Sequence, residues 1–146
     1  MADKNVADHK TVGPLFSNAM ELYRVEYDFA NDAGAAADDY MMLTAGADIV
    51  ILESWIQCIT ECDSAADGAS FDIGIDGGDE DLLYDGVAEA DTTAGTLIQA
   101  TVVEGAPNAL SMPFKLADGG KLRMKILGED LTAGRFEVCF KVAKFA

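Results

Sequence analysis

Apolar and polar residues alternate with a period of two along much of this chain. The clearest stretch is 135–142, where Phe136, Val138, Phe140 and Val142 fall on one side and Arg135, Glu137, Cys139 and Lys141 on the other. In an extended strand, successive side chains point to opposite faces, so this pattern predicts a strand with one face in a core. The same reading predicts a strand at 20–29, with Tyr23, Val25, Tyr27 and Phe29 inward, and one at 121–126, with Leu122, Met124 and Ile126 inward. Phe71, Ile73 and Ile75 mark a fourth strand at 70–75, and shorter strands are predicted at 40–43, 96–103 and 114–116. The longest apolar run, 49–60 (IVILESWIQCIT), places large residues on both parities. Its β-branched content favours a strand over a helix, and the pattern predicts a central strand buried on both faces, with Trp55 in the core.

Polar, glycine-rich segments separate these stretches. Residues 61–70 and 128–134 read as turns, and Asp118-Gly119-Gly120 reads as a hairpin turn. Residues 76–86 (DGGDEDLLYDG) read as an acidic loop with one helical turn at 79–84. No segment keeps a period of 3.6 over about 12 residues. The expected fold class is therefore all-β: an antiparallel β-sandwich, jelly-roll-like, of about seven or eight strands. Residues 1–19 read differently. They mix charges and small residues, and Gly13-Pro14 breaks any regular element. The expected organisation is an extended N-terminal arm at 1–19 and a β-sandwich domain at 20–146. Val12, Leu15 and Phe16 are the arm's apolar anchors and are candidate partner contacts.

Composition narrows the function. The chain has 146 residues, half of them apolar, which is enough to bury a core without disulfides. No apolar run reaches the roughly 18 residues needed to span a bilayer, and MADKNVADHK lacks the apolar centre of a secretory signal. The net charge is −16. Nucleic-acid binding needs bases that displace counterions, so neither nucleic acid nor an anionic membrane is an expected partner. The charge is uneven: residues 1–110 hold 22 acids and 3 bases, whereas 111–146 hold 4 acids and 7 bases. This reads either as a basic solvent face on the last strands or as a basic patch that docks on an acidic neighbour. Lys121, Arg123 and Lys125 are the candidate contacts for such a patch.

Catalytic chemistry is hard to place. His9 is the one histidine and lies in the arm, a poor platform for a positioned base. No nucleophile elbow, phosphate-binding loop or dinucleotide fingerprint occurs. Cys58, Cys62 and Cys139 are odd in number and unsuited to a disulfide framework. On a strand, Cys58 and Cys62 would lie about 13 Å apart, too far to share one zinc ion. The acidic loop invites a calcium reading, but its spacing does not fit an EF-hand, and a solvated loop is the expectation. No residue is assigned a catalytic, cofactor or metal role, and the chain is not expected to be an enzyme.

The run TAGADIVILESWIQCITECDSAADGASFDIGIDGGDEDLLYDG, followed by DTTAGTLI and by LADGGKLRMKILGEDLTAGRFEVCFKVAKF, resembles the small β-sandwich structural proteins of tailed bacteriophages. Within them it is most similar to the head decoration, or capsid cement, proteins. The resemblance covers about residues 40–145 and is one of pattern, without a signature motif. It implies a virion surface protein, made in the host cytoplasm, that binds the major capsid protein on the outer face of the shell and stabilises it. It also implies a homo-oligomer, with a trimer favoured over a dimer. The competing reading is a receptor- or carbohydrate-binding β-sandwich module of a phage fibre or tail, in which loop 76–85 would bind calcium.

Overall fold

The computed structural model describes residues 20–100 and 113–144. The arm, with Val12, Leu15 and Phe16, lies outside the described residues. Among the described residues, nine strands form two antiparallel sheets: β1 (Met20–Asp28), β2 (Asp39–Thr44), β3 (Ile49–Ser64), β4 (Ser70–Ile75), β5 (Tyr84–Ala88), β6 (Leu97–Gln99), β7 (Phe114–Leu116), β8 (Lys121–Leu127) and β9 (Leu131–Lys144). The larger sheet runs β1-β9-β3-β6, with β7 lying beyond β6 on the same edge of β3; the smaller runs β2-β8-β4-β5. A single-turn helix, α1 (Phe29–Asp32), follows β1, and its Ala30 amide donates to the Asp28 carboxylate.

The pairings β1·β9, β2·β8, β3·β6 and β4·β5 are nested one within the next. A long ribbon doubled back between β4 and β5, then rolled so that successive rungs fall in alternate sheets, gives this order. The result is the antiparallel β-sandwich expected of the strand pattern. β1 and β9 pair without interruption from Met20↔Ala143 to Asp28↔Arg135. Between the sheets lie Tyr27, Ile51, Ile56, Phe71, Ile73, Leu122, Met124, Ile126, Phe136, Val138, Phe140 and Val142, nearly all fully buried. Phe136 stacks on Phe71 with ring centres 4.9 Å apart, and Tyr27 packs on Phe136 at 5.1 Å. Burying each of these large apolar side chains contributes about 1.5–3 kcal/mol, which is the main force holding the sheets together.

Several expectations are corrected. β3 is buried on one face only. Its register with β9 slips between Ile51 and Glu53, so Ile49 and Ile51 point inward before the bulge and Ser54, Ile56 and Cys58 after it. A bulge adds one residue and flips the parity of all that follow. That is why the run shows large residues on both parities, and why Trp55 lies outside the core. Residues 61–64 continue β3 rather than turning, and β9 begins at Leu131, earlier than the turn at 128–134 allowed. Residues 79–83 form a turn without helix, and Tyr84–Ala88 is a strand where a loop was expected, which raises the count to nine. Gly119 adopts a positive φ of 81°, as a tight turn demands, but the turn joins β7 and β8, which lie in opposite sheets. It is a crossing between layers, not a hairpin. Of the strand at 96–103, only Leu97–Gln99 is a strand among the described residues.

Candidate interaction surface

The two outer faces of the sandwich carry different chemistry. On the larger sheet, the bulge in β3 turns Trp55 outward, in register with Cys139 of β9, itself opposite Arg24 of β1. Gln99 of β6 flanks Trp55 on its other side. Cys139 is buried within this outer layer, and burial pushes its thiol pKa up. Leu22 is 53% exposed and Leu97 65% exposed on the same face, and Ile59 lies beyond them, also exposed. Between β1 and β3, Met20, Leu22, Trp55, Glu53 and Lys141 line a shallow hollow of about 390 Å³. An apolar strip with an aromatic at its centre and charges at its margins is the composition of a docking face.

The smaller sheet is ionic, and the cation at its centre is answered by its own residues. Leu122, Met124 and Ile126 of β8 point inward, so Lys121, Arg123 and Lys125 point out, as the alternation predicts. Arg123, however, is covered. Its guanidinium pairs with Asp39 at 2.7 Å, with Asp76 at 3.6 Å and, at very short range, with Glu80. Gly74, opposite Arg123 in the ladder, makes this possible: a Cβ there would collide with the backbone of Asp79 and Glu80, which fold back across the sheet. Burial alone would lower the Arg123 pKa, but the bond to Glu80 and the charges of Asp39, Glu80 and Asp76 offset it and raise the value above normal. The acidic loop is therefore closed by an internal cation. Asp79 is raised by sharing a hydrogen bond with Asp81, and Asp72 is raised by burial, partly relieved by the Gly86 amide at 2.6 Å.

The basic C-terminal residues do not gather into one patch. β8 and β9 lie in opposite sheets, so their bases divide between opposite faces. Lys115, Arg135 and Lys144 pair with Asp48, Glu26 and Glu21. Lys121 and Lys125 make no salt bridge among the described residues. The three cysteines are free and buried, and the Cys62 thiol is pushed up to about 11, mainly by burial. The exposed apolar strip on the larger sheet is not legible in the sequence because its central residue, Trp55, sits in the most apolar run of the chain. Glu53, the only charge in that run, marks the bulge that turns Trp55 out.

No protein-family model and no curated protein sequence matches the chain. Solved structures do. A chain of the capsid asymmetric unit of cyanophage Pam1 superposes with a TM-score of 0.62 at 14% identity, covering 86% of this chain and 85% of its own length. A chain of the acidic stable capsid structure of the Helicobacter pylori bacteriophage KHP30 superposes with a TM-score of 0.59 at 8% identity, covering 86% of this chain and 87% of its own. At such identities the likeness establishes the fold: this β-sandwich is an architecture found in phage capsids.

Proposed function

We propose that this chain is a virion structural protein, a capsid decoration or cement protein that binds the outer surface of a phage shell. One observation carries the reading: a sandwich shared with chains of two phage capsid structures bears an apolar face around Trp55 that no described residue covers. In this reading residues 20–146 are the rigid body, and residues 1–19 are an arm that adds contact area through Val12, Leu15 and Phe16. The major capsid protein is the partner, and the chain assembles as a homo-oligomer, a trimer before a dimer. Lys121 and Lys125, on the face opposite Trp55, offer a second contact to an acidic neighbour, while Arg123 acts indirectly by fixing the acidic loop. Modest contacts repeated over a lattice add up to firm attachment. The role needs no catalysis, nucleic acid or membrane, and a charge of −16 keeps particles apart in solution.

The test is direct. Purified protein is sized by light scattering and added to capsids that lack it. Oligomers that bind stoichiometrically and raise the temperature of shell rupture support the reading; a monomer that ignores capsids overturns it. The second reading, a receptor- or carbohydrate-binding module of a phage fibre or tail, draws on Trp55, whose ring flanks a hollow with Glu53 and Lys141. Saturable quenching of Trp55 fluorescence by an oligosaccharide, without capsid binding, would favour it.

A further inference from the structure

The end of β3 and the start of the 3-10 turn Glu89–Asp91 bring Asp63, Asp67 and Glu89 together at a cavity of about 490 Å³. One carboxylate oxygen from each lies within 4.8 Å of the others. Asp63 and Asp67 are exposed, but Glu89 is only 5% exposed, and its Oε2 has no hydrogen-bond partner among the described residues. A buried carboxylate without a donor is costly, and two more acids beside it add repulsion. Among the described residues no base lines the cavity, and Glu61 adds a fourth acid to its wall. The contrast with Arg123 is plain, since there an internal guanidinium answers three carboxylates.

Apart from the Ser64 amide, which donates to Asp63 Oδ1 at 3.0 Å, the surrounding frame is built without these side chains. Glu129 Oε2 accepts from Ser64 Oγ, the Ala66 amide and the Gly68 amide at 2.9, 3.1 and 3.2 Å, which fixes the loop that carries Asp67. Asp67 itself takes a left-handed φ of 58°. Glu89 is pinned by its backbone: its amide donates to Ala69 O, and its carbonyl accepts from Thr92 Oγ1 at 2.6 Å. Thr92 Oγ1 in turn accepts from the Cys62 amide, next to Asp63. Three carboxylates on three separately anchored backbones thus face one opening.

We propose that Asp63, Asp67 and Glu89 bind a divalent cation, with calcium as the preferred ion. The three donors are hard carboxylate oxygens, and the cavity leaves room for the several waters that complete a six- to eight-oxygen shell. Magnesium, which holds its own waters tightly and demands octahedral geometry, fits an open three-acid site less well.

Isothermal titration of the full chain with calcium chloride, at fixed ionic strength, tests this. The expected result is one saturable calcium site per chain, binding at least about tenfold tighter than magnesium. Saturating calcium should also raise the melting temperature by about 5 °C. Asp67→Asn, in which asparagine keeps the left-handed backbone, and Glu89→Gln should each abolish the saturable heat. Because Glu89→Gln removes a buried unpaired charge, its calcium-free melting temperature should equal or exceed that of the parent. Asp81→Asn, in the loop closed by Arg123, should bind calcium as the parent does. An absent saturable heat, a heat that survives in Asp67→Asn and Glu89→Gln, or one lost in Asp81→Asn would each overturn the proposal.

Discussion

The two outer faces of this sandwich rest on one core and differ in what they leave unmatched. On the smaller sheet, Arg123 and three carboxylates answer one another within the chain, and a loop has folded over to bring Asp76 and Glu80 to it. On the larger sheet, Leu22, Trp55 and Leu97 stand in a strip that nothing in the described residues covers. The first arrangement spends its polarity on the fold; the second leaves surface free for another molecule. The difference arises from local backbone features: a glycine at 74 that lets a loop approach, and a bulge near Leu52 that rotates an indole out of the core.

The strongest way to break the comparison is to remove the core both faces share. Phe140→Asp puts a charge at a fully buried position in the middle of β9 and should cost most of a total stability of about 5–15 kcal/mol. Loss of the cooperative urea transition would report it; a stable Phe140→Asp would mean that β9 is not central. Next in size is Arg123→Met. It strands Asp39, Asp76 and Glu80, whose side chains are 35–47% exposed, so solvent screens part of the cost. We expect a loss of about 2 kcal/mol in chemical denaturation, smaller at high salt.

A smaller effect concerns acid. The Ser64 hydroxyl, then the Ala66 and Gly68 amides, hold the Glu129 pKa below its ordinary value of 4.5. A carboxylate depressed in the folded state stabilises above its unfolded pKa, and that contribution is lost as pH falls through the folded value. Between about pH 5 and pH 3 the melting temperature should therefore fall more steeply in the parent than in Glu129→Gln. Equal slopes would show that Glu129 is not coupled to the loop. The smallest effect on stability belongs to the docking face. Leu97→Lys should change stability by less than about 0.5 kcal/mol, yet abolish capsid binding. Unchanged capsid binding would move the contact surface elsewhere.

The unequal faces also explain what could be read from the sequence. β9 and β8 were legible because one face meets the core and the alternation is unbroken from Phe136 to Val142 and from Leu122 to Ile126. β3 misled because a bulge sums two parities into what looks like a strand buried twice. β5 was missed because its inward pair, Tyr84 and Val87, is spaced by three residues, with a register shift against β4, and Asp85-Gly86 between them reads as a turn. The carboxylates at 63, 67 and 89 are unremarkable in a chain with 26 acids. Only the pairing of β3 with the turn after β5 brings them to one point.

The nested pairing has a consequence for how the protein is made. β1 lies against β9, more than a hundred residues along the chain, and the next rung closes over almost as long a loop. Such high contact order slows folding. It also means that the larger sheet cannot be zipped until β9, as far as Lys144, has cleared the ribosome, so Met20–Asp28 must wait, with its hydrogen-bonding edge open, while the strands between them are made. The alternating charges Glu21, Arg24 and Glu26 along that waiting strand disfavour its pairing with identical nascent neighbours, in which like charges would be brought together.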